Sequence, residues 1–210
     1  LLSLINDVLD MSKIESGKTT LNLCDVNLAD IINETDNIIR PQAKKKNQTF
    51  VVKSDGVEYC CITADKLRLS QILINILSNA VKYTEEGGNI TFEIKEIKVT
   101  NPQIVKYKFI ISDNGIGMSE EFIQNKLFKP FVQKNTRIDG ASLGMSIVQE
   151  LVKKMDGTIK VESKIDEGTQ FIVQLPLEID LNPVENKSLK NQTMSIENLS
   201  ILVVEDNEIN

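Results

Sequence analysis

The sequence has no histidine anywhere in its 210 residues. These residues therefore supply no imidazole for acid–base, nucleophilic or metal chemistry. Cysteine is scarce. Cys24, Cys60 and Cys61 make neither a zinc-ligand spacing nor a disulfide framework, which fits a reducing, cytoplasmic setting. No run approaches ~18 consecutive apolar residues, so no membrane span is expected from this stretch. The opening LLSLINDVLD carries acids and no basic leader, which argues against a signal peptide. Positive charge is in deficit: 24 Lys and Arg against 30 Asp and Glu leave −6, which argues against a nucleic-acid-binding surface. What is present, 41% hydrophobic and 26% charged residues, suits a globular chain with one substantial domain and pieces of others. The first residue is not Met, and the chain reads as an excised piece of a longer protein.

The stretch that organises the rest is Asp65 to Tyr83. Leu69, Ile72, Leu73, Ile76, Leu77 and Ala80 recur at steps of three and four, which predicts one amphipathic helix capped by Thr63 or Asp65. At roughly 100° per residue, Asn75, Asn79 and Lys82 share the opposite face with Arg68 and Gln71. Carboxamide oxygens are hard donors suited to Mg²⁺, and a lysine is a compact charge suited to phosphate. An ordinary solvated helix face carries the same letters.

Upstream, Leu1, Leu4, Ile5, Val8, Leu9 and Met11 form an apolar seam, either the end of a bundle or coiled-coil helix or a packed terminal helix. A strand is expected over 19–26. The next helix, capped by Asn27 or Asp30, uses Leu28, Ile31, Ile32, Ile38 and Ile39 and meets Pro41. Lys44 to Lys46 reads as a solvated helix end. Short strands over 49–53 and 59–63 flank a turn at Ser54-Asp55-Gly56. Strands over 89–100 and 103–112 form an antiparallel hairpin about Asn101-Pro102. A short helix capped by Ser119, a polar stretch over 129–142 expected to be mobile, and a helix over 143–155 follow. Closing strands over 158–163 and 169–175 surround Asp166-Glu167-Gly168. Residues 182–198 read as a linker, and Ile201 to Val204 as a buried strand ending in Glu205 and Asp206.

Two further motifs carry chemistry. In Asp113-Asn114-Gly115-Ile116-Gly117, an acid at a strand end can accept a hydrogen bond from an amine, and the glycines let backbone approach a flat base. A tight turn after a strand has the same composition. In Gly140-Ala141-Ser142-Leu143-Gly144, free N–H groups at a helix start suit a phosphate; a flexible loop with Ser142 as cap is the alternative.

In this order and spacing, the motifs resemble those of the catalytic, ATP-binding domain of sensor histidine kinases, in the GHKL ATPase superfamily. The N box is Asn75-Ile76-Leu77-Ser78-Asn79-Ala80-Val81-Lys82-Tyr83, the first G box Asp113 to Gly117, the F box Phe128-Lys129-Pro130-Phe131 and the second G box Gly140 to Gly144. The resemblance implies a two-layer α/β sandwich, a mixed and largely antiparallel sheet with helices on one face and an ATP lid. It divides the chain into 1–16, the end of a dimerisation and phosphotransfer helix; 17–180, the ATP-binding domain; 181–199, a linker; and 200–210, the start of a receiver domain, hence a hybrid kinase.

The implied cofactors are ATP and Mg²⁺. Asp113 would accept from the adenine amino group, supported by Thr169, with Gly115 and Gly117 giving room. Asn79 would ligate Mg²⁺ and Asn75 assist. Lys82 would contact phosphate and Tyr83 line the site. Arg137 and the lid residues Gly140, Ser142, Leu143 and Gly144 would meet the phosphates, and Phe128 and Phe131 anchor the lid. Implied partners are the chain's own dimerisation helices in a homodimer, and a receiver in cis or trans, with no nucleic acid and no membrane contact by this stretch. Hydrolytic members of the superfamily have a Glu four residues before the metal Asn; here Asn75 stands there and cannot take a proton, which favours transfer to a protein acceptor. Two departures stand out: Ser142 replaces the middle glycine of the second G box, a strain of about 1–2 kcal/mol if φ is positive there, and Lys129 stands where an acid is common. Ser142 motivates an alternative, a catalytically degenerate module kept for nucleotide binding, interaction or regulation.

Overall fold

The computed structural model describes residues 20–54, 56–58, 61–101, 103–130 and 143–179. The expected upstream helix, linker and receiver-like strand lie outside them, as do Phe131, Arg137, Gly140 and Ser142.

Alternation builds the sheet. In β5 (Ile104–Asp113), Val105, Tyr107, Phe109 and Ile111 are buried, while Lys106 and Lys108 between them and Ser112 beyond are half-exposed. The pattern of β5 is broken only where Ile110 is buried as well. In β7 (Gly168–Ile179), Phe171, Val173, Leu175 and Leu177 repeat the pattern and sit opposite their β5 counterparts in antiparallel register. Ile90, Phe92 and Ile94 of β4 (Asn89–Lys98) extend the same apolar face. One side of the sheet is thus apolar, as period-two patterning over a single core requires.

Along the main path the order is β1 (Cys24–Asn27), β3 (Cys61–Ala64), β7, β5, β4, β2 (Thr49–Lys53). β6 (Thr158–Lys164) pairs with β7 over residues 168–174, on the edge that β3 takes over at Glu178 and Ile179. Pairing is antiparallel except between β2 and β4, which run parallel. Val26, Ile62 and Ile179 lie in one cross-sheet row. The expected mixed, largely antiparallel sheet is therefore present. β2 and β3, adjacent in sequence, do not pair with each other but lie far apart in the strand order.

Helices cover the apolar face. α1 (Leu28–Lys45) and α4 (Gly144–Lys154) flank α2 (Lys66–Tyr83), which packs on β4 and β5; α3 (Glu120–Asn125) is a short helix beside β6. Asn27 caps α1 through Ala29 N–H, and the helix continues through Pro41. Asp65, itself buried, caps α2 through Arg68 N–H at 3.0 Å and also accepts from Asn22 N–H at 2.9 Å. Ser119 caps α3 through Phe122 N–H. Lys46 is not a solvated cation: its ammonium donates to the carbonyls of Val81, Lys82 and Thr84.

Leu69, Ile72, Leu73, Ile76 and Leu77 are fully buried, so the stripe of α2 is the centre of the core. Ile76→Ala should lower unfolding free energy by about 2–5 kcal/mol in urea titration, whereas Leu67→Ala, at a residue of the same helix that is 70% exposed, should stay within about 0.5 kcal/mol of the parent.

Candidate functional site

The face of α2 turned from the core carries Asn75, Asn79, Lys82 and Tyr83, all half-buried. At one end, Asn75 Nδ2 lies 3.5 Å from the carbonyl of Gly144, the first residue of α4. A Cβ added to Gly144 would meet the Asn75 amide at 3.3 Å, so the second G box and the N box are close-packed at this point. Leu143, buried, holds the N-cap position of α4 and makes no side-chain cap bond; Ser142, the alternative cap, lies outside the described residues. Arg68 donates to the Gln71 carboxamide at 2.7 Å.

At the other end of α2, the Lys82 ammonium sits 5.3 Å over the Tyr83 ring, an arrangement that favours a cation on an aromatic face. Burial raises the Tyr83 phenol above its ordinary range. Eight residues at about 1.5 Å rise place the Asn75 and Tyr83 backbones roughly 12 Å apart along one side of the helix.

The first G box docks against that end. Ile116 N–H donates to Tyr83 O at 3.2 Å, and a Cβ on Gly115 would come within 2.4 Å of the same carbonyl oxygen. Gly117 has φ +54°, and a Cβ there would lie 1.8 Å from Lys164 O. Gly168 has φ +110°, with its Cβ position 2.0 Å from Asp113 O. In this structure the space left by these glycines is occupied by the protein's own backbone, at the turns after β5 and before β7.

Asp113 and Thr169 are register partners at the strand ends, on the helix-covered face. Burial raises the Asp113 carboxyl above its ordinary range, while N–H groups of Gly115 and Thr169 pull it back. A half-enclosed carboxyl beside a hydroxyl can accept from an amine in a flat ring.

Two residues that the sequence reading did not single out organise this corner. Ser163 Oγ accepts from Met118 N–H at 2.8 Å, donates to Gly168 O at 2.7 Å, and lies 2.9 Å from Thr169 Oγ1. Ser163 has one proton, so with Gly168 as its acceptor Thr169 is the donor between the two hydroxyls. Asn114 accepts from Asn89 N–H at 2.7 Å and returns its own N–H to Asn89 O at 3.2 Å, tying the first G box to the α2–β4 loop. A serine in a lysine-rich strand and an asparagine in a turn give no signal in sequence. Phe128 packs against the core.

Among the described residues no cluster of three His, Cys, Asp or Glu could hold a metal alone, and no helix is long and apolar enough to cross a membrane. An ion at Asn79 would take most of its shell from phosphate and water oxygens, which suits Mg²⁺ arriving with a nucleotide.

Residues 64–179 match the family described as histidine kinase-, DNA gyrase B-, and HSP90-like ATPase. The autoinducer 2 sensor kinase/phosphatase LuxQ of Vibrio vulnificus (strain YJ016) is 34% identical over 218 residues, covering 100% of this chain and 25% of that protein. The chain thus spans about a quarter of the length of the curated relatives it matches first. Full-length ShkA, solved in complex with AMPPNP, superposes with TM-score 0.71 at 28% identity, over 85% of this chain and 36% of that one. The catalytic domain of histidine kinase ThkA superposes with TM-score 0.62 at 25% identity, over 74% of this chain and 96% of that one. Fold, motif order and these likenesses agree: the chain belongs to the histidine kinase-, DNA gyrase B- and HSP90-like ATPase family, on its histidine kinase branch.

Proposed function

We propose that this chain is the ATP-binding catalytic core of a hybrid sensor histidine kinase, moving the γ-phosphoryl group of ATP to a histidine outside these residues, for relay to a receiver aspartate. The observation that carries the reading is the half-enclosed Asp113 carboxyl, raised by burial and paired across the strands with Thr169. Asp113 accepts from the adenine amino group, and the Thr169 hydroxyl, steered by Ser163, completes that edge. Asn79 offers its carboxamide oxygen to Mg²⁺, Asn75 holds the phosphate network against Gly144, and Lys82 neutralises phosphate charge beside Tyr83. Arg137, Gly140, Ser142 and Leu143 complete the phosphate end. Mg²⁺, when bound, offsets charge on the transferring phosphoryl oxygens. Asn75 takes no proton from water, so the residues favour positioning for transfer over hydrolysis.

Isothermal titration with a non-hydrolysable ATP analogue should give micromolar-to-millimolar binding that strengthens with Mg²⁺. Asn79→Ala should remove about tenfold of the Mg²⁺-dependent part and leave Mg²⁺-free binding unchanged. No heat and no thermal shift at millimolar nucleotide would sink the reading. The 210 residues alone should not self-phosphorylate; adding a helix pair that bears a histidine should yield acid-labile phosphohistidine. Nucleotide binding without transfer in that reconstitution would favour the degenerate module.

The adenine amine is best accepted by ionised Asp113. Affinity should therefore fall as pH drops through the raised range of this carboxyl and flatten above it, and Asp113→Asn should abolish the slope. The same shift acts on stability with the opposite sense. Relative to Asp113→Asn, the nucleotide-free chain should be most stable at acid pH, and that advantage should vanish as pH rises through the raised pKa, read by thermal unfolding.

A further inference from the structure

The C-terminal end of α2 is enclosed by protein, where its last carbonyls need donors other than water. Each finds one. Ala80 O accepts from Thr84 N–H at 3.0 Å and Tyr83 O from Ile116 N–H at 3.2 Å. Lys46 Nζ donates to Val81 O at 2.8 Å, Lys82 O at 3.2 Å and Thr84 O at 2.6 Å. Gln48 Nε2 lies 3.0 Å from Val81 O, 2.7 Å from Thr84 O and 3.3 Å from Glu85 O. The three ammonium protons of one lysine match three carbonyls, and its positive charge sits at the negative end of the helix.

The loop that presents these donors is itself fixed. Asn47 adopts a left-handed φ of 50° and donates to Glu86 Oε1 at 2.6 Å. Lys46 O accepts from Gly87 N–H at 3.1 Å, and Thr49 N–H donates to Gly88 O at 2.8 Å. The α1–β2 loop and the α2–β4 loop are thus locked to each other around the helix end.

We propose that Lys46 is a positioning residue for the nucleotide site, with Gln48 as its second holder. It acts through the last turn of α2; the inference deepens the proposed function and rests on that reading. Lys82 and Tyr83 are side chains of the turn whose carbonyls Lys46 holds, and Tyr83 O is the anchor of the first G box. Losing the lysine takes the ammonium from Lys82 O and leaves Val81 O and Thr84 O to Gln48 alone, and the turn relaxes toward other partners. That relaxation shifts the residues proposed to meet phosphate and base together with the loop beyond Asp113.

The test uses the whole 210-residue chain, without nucleotide first. In Lys46→Met, amide exchange at Ile116 and Thr84 should quicken about tenfold or more, while central β5 amides should change no more than in Ile31→Val, a core variant remote from the helix end. Titration with a non-hydrolysable ATP analogue should then show a Kd raised about tenfold in Lys46→Met and unchanged in Ile31→Val. Should Lys46→Met fail to fold, Gln48→Leu carries the same two readings. Parent-like exchange at Ile116 together with a parent-like Kd would overturn the proposal. If the parent chain binds no nucleotide, the proposed function fails, and unchanged Ile116 exchange would separately dismiss the clamp.

Discussion

A helix whose apolar stripe is wholly buried has only one orientation left to it. Leu69, Ile72, Leu73, Ile76 and Leu77 give α2 no freedom to roll on the sheet, so the opposite face is fixed as well. Asn75, Asn79, Lys82 and Tyr83 inherit their direction from residues that never touch the site. The flanking helices reinforce this, since α1 and α4 close on α2 from either side. The polar residues proposed to bind nucleotide are therefore placed by hydrophobic packing rather than by bonds among themselves.

The glycines of the first G box have a second role in this framework. Their absent side chains, with that of Gly168 at the start of β7, let three backbones interlock: the end of α2 at Gly115, the β6–β7 turn at Gly117, and the end of β5 at Gly168. Asp113 sits at this junction, and its carboxyl accepts from Gly115 N–H at 2.9 Å. The strain of positive φ at Gly117 and Gly168 is avoided only because neither carries a Cβ. Ser163 then seals the junction with bonds to Met118, Gly168 and Thr169.

Features set by local periodicity were legible in the letters. The stripe of α2, the strand of β5, the cap at Ser119, and the pairs of candidates from which Asn27 and Asp65 serve as caps each follow from residues within a turn or two of one another. Non-local pairing was not. The turn between β2 and β3 leaves their partners open: β2 joins β4 in parallel and β3 joins β1 and β7, choices set by sheet order rather than by the intervening turn. Lys46 read as a solvated charge because its carbonyl partners lie at least 35 positions away. Of the site, the spacing of Asn75 and Asn79 and the acid before two glycines could be seen directly. Ser163 and Asn114 could not, because a hydroxyl or amide that serves backbone has no sequence signature.

The row formed by Val26, Ile62 and Ile179 has a mechanical consequence. Two inter-strand spacings, about 10 Å, separate the first strand from the last, so the polypeptide comes into and out of this unit at one corner. The incoming segment and its outgoing neighbour are separated by a single strand, β3. That segment is moored by Asn22 to the carboxylate that starts α2. The entering chain is thus tied to the start of the helix that carries the polar face, one strand away from the point of exit.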